Sequence, residues 1–264
     1  MSAEIVQRVL RSPRYRDVDR SLLVCLADEE LPRARNTDDA VKRVKRRLHQ
    51  AVGAFRGAAR ADEIAAAWSG DLAAPALRAA CADALRSHAS TRERLDSLEA
   101  FYAGIWSVTG LPGSVLDLGC GLNPLALPWM GIGRDASYFA SDVDRRPLAA
   151  VAAFLQLVGQ PNRVEVRNLV ESPPSDDADV ALLLKLVTTL DRQDPAAAAH
   201  LIRALRVKAA VVSFPKHSLG GRGKGMERTY RARLDRLAAD AGRVSAITEA
   251  SVPGELVFVL SLDG

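Results

Sequence analysis

A short apolar segment that runs into a glycine turn constrains the fold of this 264-residue chain more than any other feature. The segment begins at Val115 and ends in Gly119-Cys120-Gly121. A short apolar run bounded by turn residues is typical of a strand buried inside a sheet. Glycine lacks the Cβ atom that would keep a ligand away from the backbone, so such a turn can approach a cofactor closely. The segment therefore predicts a buried strand that leads directly into a cofactor-binding turn.

The periodicity of the sequence changes at Pro112-Gly113. Before this point apolar residues recur every three or four positions, as in helices, and after it short apolar runs alternate with helical stretches. Predicted strands occupy residues 114–118, 137–142, 163–168, 178–184, 207–214, 244–250 and 255–262. Alternating strands and helices indicate an α/β fold with a parallel doubly wound sheet, and the last two strands form a closing hairpin. With its closing hairpin this arrangement resembles the seven-stranded Rossmann-like class I methyltransferase domain, and we expect an all-helical N-terminal domain in front of it.

The N-terminal segment reads as a series of helices. Ile5 and Val9 mark the first helix, Asp19 can cap the second, and Thr37 begins the third. The apolar stripe of the third helix comprises Val41, Val44, Leu48 and Val52. A longer helix is expected over Ser90–Trp106.

Positive charge is concentrated in the same N-terminal segment. Residues 1–60 contain fourteen Lys and Arg residues but eight Asp and Glu residues, whereas the whole chain has a net charge of +4. This asymmetry indicates a surface for a polyanion, with a solvated helix surface as the alternative.

The sequence of the glycine turn distinguishes between two candidate kinds of cofactor. A dinucleotide loop needs a third glycine to seat a pyrophosphate on a helix N-terminus, and this chain has Pro124 at that position. S-adenosylmethionine has no phosphate and does not need that glycine. Asp142, at the end of the next predicted strand, can accept hydrogen bonds from both ribose hydroxyls, although NAD would use the same acid. Asp144 is the alternative acid, or the cap of the following helix. The pattern favours S-adenosylmethionine over a nicotinamide cofactor.

The residues that several other functions require are absent from this sequence. After the fourth predicted strand, around Leu184-Lys185-Leu186, there is neither Asn-Pro-Pro-Tyr nor a Pro-Cys nucleophile. The three cysteines and four histidines show no metal-ligand spacing, so structural zinc is not expected. No apolar run is long enough to span a membrane and no signal peptide is visible, which predicts a cytoplasmic protein. The methyl acceptor is therefore expected to be an atom that is already nucleophilic.

Four segments carry a distinctive pattern in a fixed order: residues 90–95, 117–125, 183–193 and 213–226. The last of them includes the long motif Gly-Gly-Arg-Gly-Lys-Gly-Met at residues 220–226. Together with the helical N-terminus they resemble the aminoglycoside-resistance 16S rRNA methyltransferases, which modify N7 of guanine 1405 in the ribosomal decoding site. The resemblance implies S-adenosyl-L-methionine as cofactor, 16S rRNA in the assembled 30S subunit as partner, and a monomer.

The resemblance also implies roles for individual residues. Arg94 would pair with the methionine carboxylate of the cofactor, and the alternative is a surface ion pair with Glu93 or Asp96. Asn168 would flank the adenine, although family members usually have Asp there, so the hydrogen bond would be neutral and weaker. The implied cofactor contacts are Arg94, Gly119, Gly121, Asp142, Asn168, Leu169, Leu184 and Gln193.

Contacts to the RNA follow from the same resemblance. Lys185 would touch guanine O6 or a neighbouring phosphate, unless it only caps the sheet edge. Arg222 and Lys224 belong to a glycine-rich loop suited to closing over a flipped nucleotide, with a plain flexible loop as the alternative. Lys216 stands one position before the lysine that the family commonly has, so its role is open. Phosphate contacts on the third helix are expected from Lys42, Arg43, Lys45, Arg46 and Arg47. Because a helix presents these residues on more than one face, about half of them should touch the RNA.

We therefore expect residues 1–89 to form a 30S-docking domain and residues 90–264 to form the methyltransferase domain. Three rival functions remain open from the sequence. One is methylation of N1 of adenine 1408, although the enzymes with that activity lack the Gly-Gly-Arg-x-Lys-Gly-Met loop. The others are a non-catalytic 30S-binding factor and a small-molecule methyltransferase.

Overall fold

The computed structural model describes residues 1–51, 61–87, 89–216 and 226–263. Its centre is one seven-stranded sheet in the order β3-β2-β1-β4-β5-β7-β6. The strands are β1 Ser114–Leu118, β2 Ser137–Asp142, β3 Asn162–Val166, β4 Asp177–Leu184, β5 Arg206–Pro215, β6 Val244–Ala250 and β7 Glu255–Leu262. The first five are mutually parallel, whereas β7 runs antiparallel to both of its neighbours. The predicted fold class is confirmed, including the closing hairpin.

Helices precede the sheet and cover both of its faces. Those before the sheet are α1 Ser2–Leu10, α2 Arg20–Glu30, α3 Thr37–Ala51, α4 Ala61–Ala67, α5 Pro75–Arg86, α6 Ala89–Arg92 and α7 Leu98–Thr109. Those within the sheet region are α8 Leu127–Met130, α9 Arg145–Leu157, α10 Val187–Asp191, α11 Ala197–Ala204 and α12 Met226–Ala241. No helix among the described residues is long and apolar enough to cross a membrane.

The first three helices have a core of their own. Val44 and Leu48 of α3 are fully buried against apolar residues of α1 and α2, as the stripe in the sequence predicts. The fourth member of that predicted stripe, Val52, lies outside the described residues. Asp19 caps α2 as expected, because its carboxylate accepts the backbone N–H of Leu22 at 3.1 Å.

The next two helices belong to the core of the sheet instead. Ile64 of α4 and Leu77 of α5 are buried in the same cluster as Val115 and Tyr138 of the sheet. The expected domain division after residue 89 therefore does not coincide with the division between cores. The two cores separate between α3 and α4, because the apolar faces of α4 and α5 pack on the sheet side.

The helix expected over Ser90–Trp106 is wrong as a single element. The chain forms α6, leaves helical geometry at Arg94 (φ −110°, ψ 1°), makes a 3₁₀ turn over Leu95–Ser97 and only then begins α7. The physical reason lies at Arg94, whose side chain is 2% exposed. The break in the helix turns this guanidinium into the protein interior.

Candidate active site and cofactor pocket

The candidate site lies where the parallel strands end. Leu118, Asp142 and Leu184 are the last residues of β1, β2 and β4, so they share the carboxyl edge of the sheet. β1 lies between β2 and β4, and the strand order reverses direction at this point. Open α/β sheets bind their ligands in the crevice at such a reversal.

The glycine turn after β1 has the geometry that the sequence suggests. Gly119 and Gly121 have φ values of +64° and +53°, in the left-handed region that favours glycine. A Cβ atom on Gly119 would come within 2.8 Å of a Leu186 methyl carbon. Both its φ and the close packing of Leu186 therefore require glycine at position 119.

The structure distinguishes Asp142 from Asp144, the two carboxylates that the sequence left as alternatives for the ribose. Asp142 accepts the backbone N–H of Gly121 at 2.9 Å and that of Asp144 at 3.0 Å. Asp144 caps α9 by accepting the N–H of Arg146 at 3.0 Å. Burial raises the pKa of the Asp142 carboxyl, while the backbone N–H groups act to lower it. Asp142 is thus the acid at the glycine turn, and Asp144 is the helix cap.

Arg94 is buried and paired, so the alternative of a surface ion pair with Glu93 or Asp96 is wrong. Its Nε and Nη2 atoms donate to the two carboxylate oxygens of Glu255 at 2.9 and 3.1 Å. Its Nη1 atom donates to the Asn123 carbonyl oxygen at 3.2 Å. This fork leaves further N–H groups on the guanidinium for a second carboxylate.

Glu255 is the functional residue that the sequence analysis missed. It is the first residue of β7 and pairs with Pro215 at the end of β5, so the antiparallel strand delivers it to the carboxyl edge of the sheet. Its carboxylate also accepts from the Ser213 hydroxyl at 2.7 Å and lies 3.2 Å from the Lys185 ammonium. Burial acts to raise its pKa, but Arg94 and Lys185 outweigh burial and hold the pKa below its usual value. A charged residue beginning an otherwise apolar strand was the available signal.

Lys185 is held at the edge of the sheet by several partners. Its ammonium group pairs with Glu93 and Glu255, and its side chain is 12% exposed. Its backbone N–H donates to the Ser213 hydroxyl at 3.1 Å. Its φ of +58° is the one positive φ of a non-glycine residue in the described ranges. Lys185 therefore stands beside the site with its charge compensated.

A buried polar network supports Arg94 from below. Tyr102 donates to the Asn123 carbonyl oxygen at 2.8 Å, and the amide of Asn123 donates to Asp117 at 3.0 Å. Tyr138 donates to the same Asp117 oxygen at 2.7 Å. Burial raises the pKa of Asp117 to about 6, although both hydrogen bonds act to lower it. The network joins β1, β2 and α7 beneath the pocket.

The predicted adenine contacts lie along the same edge. Asn168 is buried, and its side-chain carbonyl oxygen accepts the backbone N–H of Val170 at 3.2 Å. β3 ends at Val166, earlier than the strand predicted over 163–168, so Asn168 lies in the loop that follows it. Leu169 is buried, whereas Leu184 and Gln193 are half-buried. Gln193 follows α10, the helix after β4.

The predicted RNA contacts fall into three groups. Lys42 and Arg46 are exposed on α3, Lys45 is half-buried there, and Lys216 is exposed after β5. Arg43 instead pairs with Asp39 at 3.2 Å and Glu30 at 3.6 Å, and Arg47 pairs with Glu29 and Glu30. The structure therefore does not present Arg43 and Arg47 as free phosphate contacts, because carboxylates already compensate both. Arg222 and Lys224 lie outside the described residues.

The groups at this edge fit S-adenosylmethionine. Arg94 offers a cation for a carboxylate, Asp142 an acceptor for ribose hydroxyls, and the glycine turn a backbone open to close approach. Leu169 and Leu184 add apolar surface suited to an adenine ring. The fold and this donor set define a class I S-adenosylmethionine-dependent methyltransferase.

Within that class, the chain belongs to the ribosomal RNA methyltransferase (FmrO) family, whose model matches residues 11–259. It is 40% identical to a 16S rRNA (guanine(1405)-N(7))-methyltransferase of Frankia casuarinae, over 96% of this chain and 91% of that protein. It is 36% identical to the enzyme of the same name from Micromonospora echinospora, over 97% of this chain and 95% of that protein.

Solved structures agree with this assignment over the whole chain. The crystal structure of the 16S rRNA methyltransferase RmtF in complex with S-adenosyl-L-homocysteine matches with a TM-score of 0.82 at 32% identity, covering 99% of this chain and 98% of that one. The 16S rRNA methylase RmtB matches with a TM-score of 0.80 at 26% identity, covering 100% and 99%. The predicted family and cofactor are confirmed.

The Arg94–Glu255 pair yields a first prediction. The substitution Glu255→Gln leaves the buried Arg94 and the half-buried Lys185 without their shared carboxylate, so we expect the free energy of unfolding to fall by about 3 kcal/mol. Glu93→Gln is the matched control, because it removes only the exposed partner of Lys185 and should cost less than about 1 kcal/mol. Urea unfolding measures both. Equal midpoints for the two variants would contradict the role of Glu255.

The raised pKa of Asp117 yields a second prediction. An unfolded Asp titrates near pH 4 and the folded carboxyl at about 6, so the folded state binds more protons between these values and loses stability as the pH rises through them. Asp117→Asn keeps an acceptor oxygen without the charge. Its stability relative to wild type should therefore rise by about 3 kcal/mol between about pH 4 and about pH 7.

Urea unfolding at several pH values measures that difference. The exposed Asp96→Asn variant is the control for a general effect of removing one carboxylate. A difference between Asp117→Asn and wild type that does not change with pH would refute the buried, proton-binding carboxylate.

Proposed function

We propose that this protein methylates N7 of guanine 1405 in 16S rRNA, using S-adenosyl-L-methionine, and thereby confers resistance to aminoglycosides. The observation that carries this conclusion is the full-length match to enzymes with that named activity. A methyltransferase fold alone is shared by enzymes of many substrates. Here the match includes the helical segment in front of the sheet as well as the cofactor-binding edge.

The chemistry of the acceptor agrees with the residues at the site. Guanine N7 carries a lone pair and no proton, so methyl transfer to it needs no general base. Bound S-adenosylmethionine supplies an electrophilic methyl group on a sulfonium. The protein then has to hold the cofactor and the base in line, which by itself can account for a large part of the rate.

The geometry at the carboxyl edge supports the proposed cofactor contacts. Arg94, held by Glu255, binds the methionine carboxylate, and Asp142 binds the ribose. The turn at Gly119 and Gly121 passes beneath the cofactor. The remaining proposed contacts flank the adenine: Asn168, Leu169, Leu184 and Gln193.

The target base enters beside Lys185, which we assign to guanine O6 or the adjacent phosphate; this contact requires the ammonium group to exchange its exposed partner Glu93 for the RNA. Arg222 and Lys224 act from the glycine-rich segment, and Lys216 from the strand end that precedes it. Lys42, Lys45 and Arg46 of α3 contact phosphates of folded rRNA. The protein works as a monomer in the cytoplasm on the assembled 30S subunit, with residues 1–89 docking and residues 90–264 carrying the reaction.

The decisive experiment locates the methyl group. Purified 30S subunits are incubated with the protein and labelled S-adenosylmethionine, and the extracted rRNA is treated with borohydride and aniline, which cleaves at N7-methylguanine. We expect one cut at guanine 1405 with 30S subunits and much less with free 16S rRNA. The variant Asp142→Ala, which lacks the ribose acceptor, is the negative control.

Each other outcome refutes the proposal in a recognisable way. Label without a cut at that guanine indicates a different target atom, including N1 of adenine 1408. Binding of 30S subunits without label indicates a non-catalytic factor. Equal labelling of free rRNA contradicts the requirement for assembled subunits.

The exposed basic residues of α3 yield a further prediction. Because phosphate contacts release counterions, Arg46→Ala should weaken 30S binding and reduce the slope of log K against log salt by about one. Arg43→Ala should change the slope less, because Asp39 and Glu30 already compensate Arg43. Filter binding over a salt series measures both slopes. A larger loss with Arg43→Ala than with Arg46→Ala would contradict the assignment.

A further inference from the structure

The three-helix unit of α1, α2 and α3 touches the sheet domain at the loops that surround the cofactor pocket. The backbone N–H of Asp19 donates to the Val143 carbonyl at 2.7 Å, and Val18 forms an isolated β-bridge with Asp144. These contacts are one and two residues from Asp142, the ribose acceptor. The start of α2 therefore fixes the loop that carries this acid.

A second set of contacts reaches the loop after β3. The amide of Asn168 lies 3.5 Å from the Ser21 hydroxyl, at the outer limit of a hydrogen bond. The Cys25 thiol donates to the Glu171 carboxylate. Asn168 is one of the residues that we assign to the adenine, and Glu171 lies three positions after it in the same loop.

Arg47 of α3 makes the third set of contacts, and it crosses between the two cores. Its Nη2 atom donates to the backbone carbonyls of Arg192 and Gln193 at 3.2 and 3.1 Å. Its Nη1 atom donates to Glu30 at 3.3 Å and also pairs with Glu29. The side chain is 17% exposed. One guanidinium thus joins α2, α3 and the turn after α10.

This arrangement suits positioning better than RNA binding. Two carboxylates of α2 compensate the charge of Arg47, and both Nη atoms are engaged. The planar fork of an arginine fixes the direction of its acceptors, which a lysine ammonium does less well. The acceptors here are the carbonyls at Arg192 and Gln193, so Arg47 fixes the backbone that carries a proposed cofactor contact.

We propose that Arg47 is a positioning residue that couples the three-helix unit to the adenosine side of the cofactor pocket. This inference rests on the proposed function, through the cofactor contacts of Asp142, Asn168 and Gln193. Its consequence is that cofactor binding and 30S docking strengthen each other. Such coupling is reciprocal, because each ligand changes the affinity for the other by the same factor.

The first test compares neighbouring arginines by isothermal titration calorimetry with S-adenosylhomocysteine and no ribosome present. Arg47→Ala should weaken cofactor binding about fivefold, a typical size for coupling between sites. Arg46→Ala removes the same charge from the exposed side of α3 and should leave cofactor affinity unchanged. In steady state, Arg47→Ala should raise KM for S-adenosylmethionine with little change in kcat. Wild-type cofactor affinity in a folded Arg47→Ala protein would overturn the proposal.

The second test uses Arg47→Lys, which keeps the positive charge beside Glu29 and Glu30. This variant keeps the proposal testable if Arg47→Ala fails to fold. The 30S affinity is measured with and without saturating S-adenosylhomocysteine. Wild type should bind 30S about fivefold more tightly with the cofactor product, and Arg47→Lys should lose most of that gain. A wild-type ratio of one, or a full gain in Arg47→Lys, would overturn the proposal. The calorimetry needs no rRNA, so a missing cut at guanine 1405 would refute the proposed function without deciding this inference.

Discussion

A single buried carboxylate, Glu255, holds the active edge of this protein together. It lies between the Arg94 guanidinium and the Lys185 ammonium, and it also accepts from Ser213. Without an anion between them, two cations so near each other would repel strongly in a medium of low dielectric constant. The carboxylate brings the break before α7, the end of β4 and the start of β7 to one point. The proposed contacts to the methionine carboxylate and to the guanine both depend on it.

The strand that delivers Glu255 explains why the sequence revealed only part of the site. The apolar periodicity predicted all seven strands, and the glycine turn with Asp142 was found because these residues follow a strand directly. Glu255 is distant from Arg94 in sequence, and their contact depends on the antiparallel register of β7 on β5. No local pattern reports that register. The same contact explains the error at Ser90–Trp106, where tertiary burial of Arg94 overrode a helical periodicity.

Charge patterns were less reliable than apolar patterns for a related reason. Five basic residues of α3 were candidates for phosphate contacts, with about half of them expected to touch RNA. The sequence could not show which ones, because carboxylates of α2 and of α3 itself engage Arg43 and Arg47. Apolar spacing predicted the buried face of α3 because burial follows helix geometry, whereas the partner of a charge depends on tertiary packing. Net charge along a helix therefore overstates the part of it that is free for RNA.

Lys185 combines backbone strain with charge compensation at one position. A lysine with φ of +58° is in a backbone conformation that costs about 1 to 3 kcal/mol and that glycine adopts readily. The strain lies where β4 ends, and the ammonium group of this lysine pairs with Glu93 and Glu255. Glycine at this position would relax the backbone but would remove one of the two cations that compensate the buried Glu255. The strained backbone and the buried ion pair are therefore linked, and a substitution that relieves the first weakens the second.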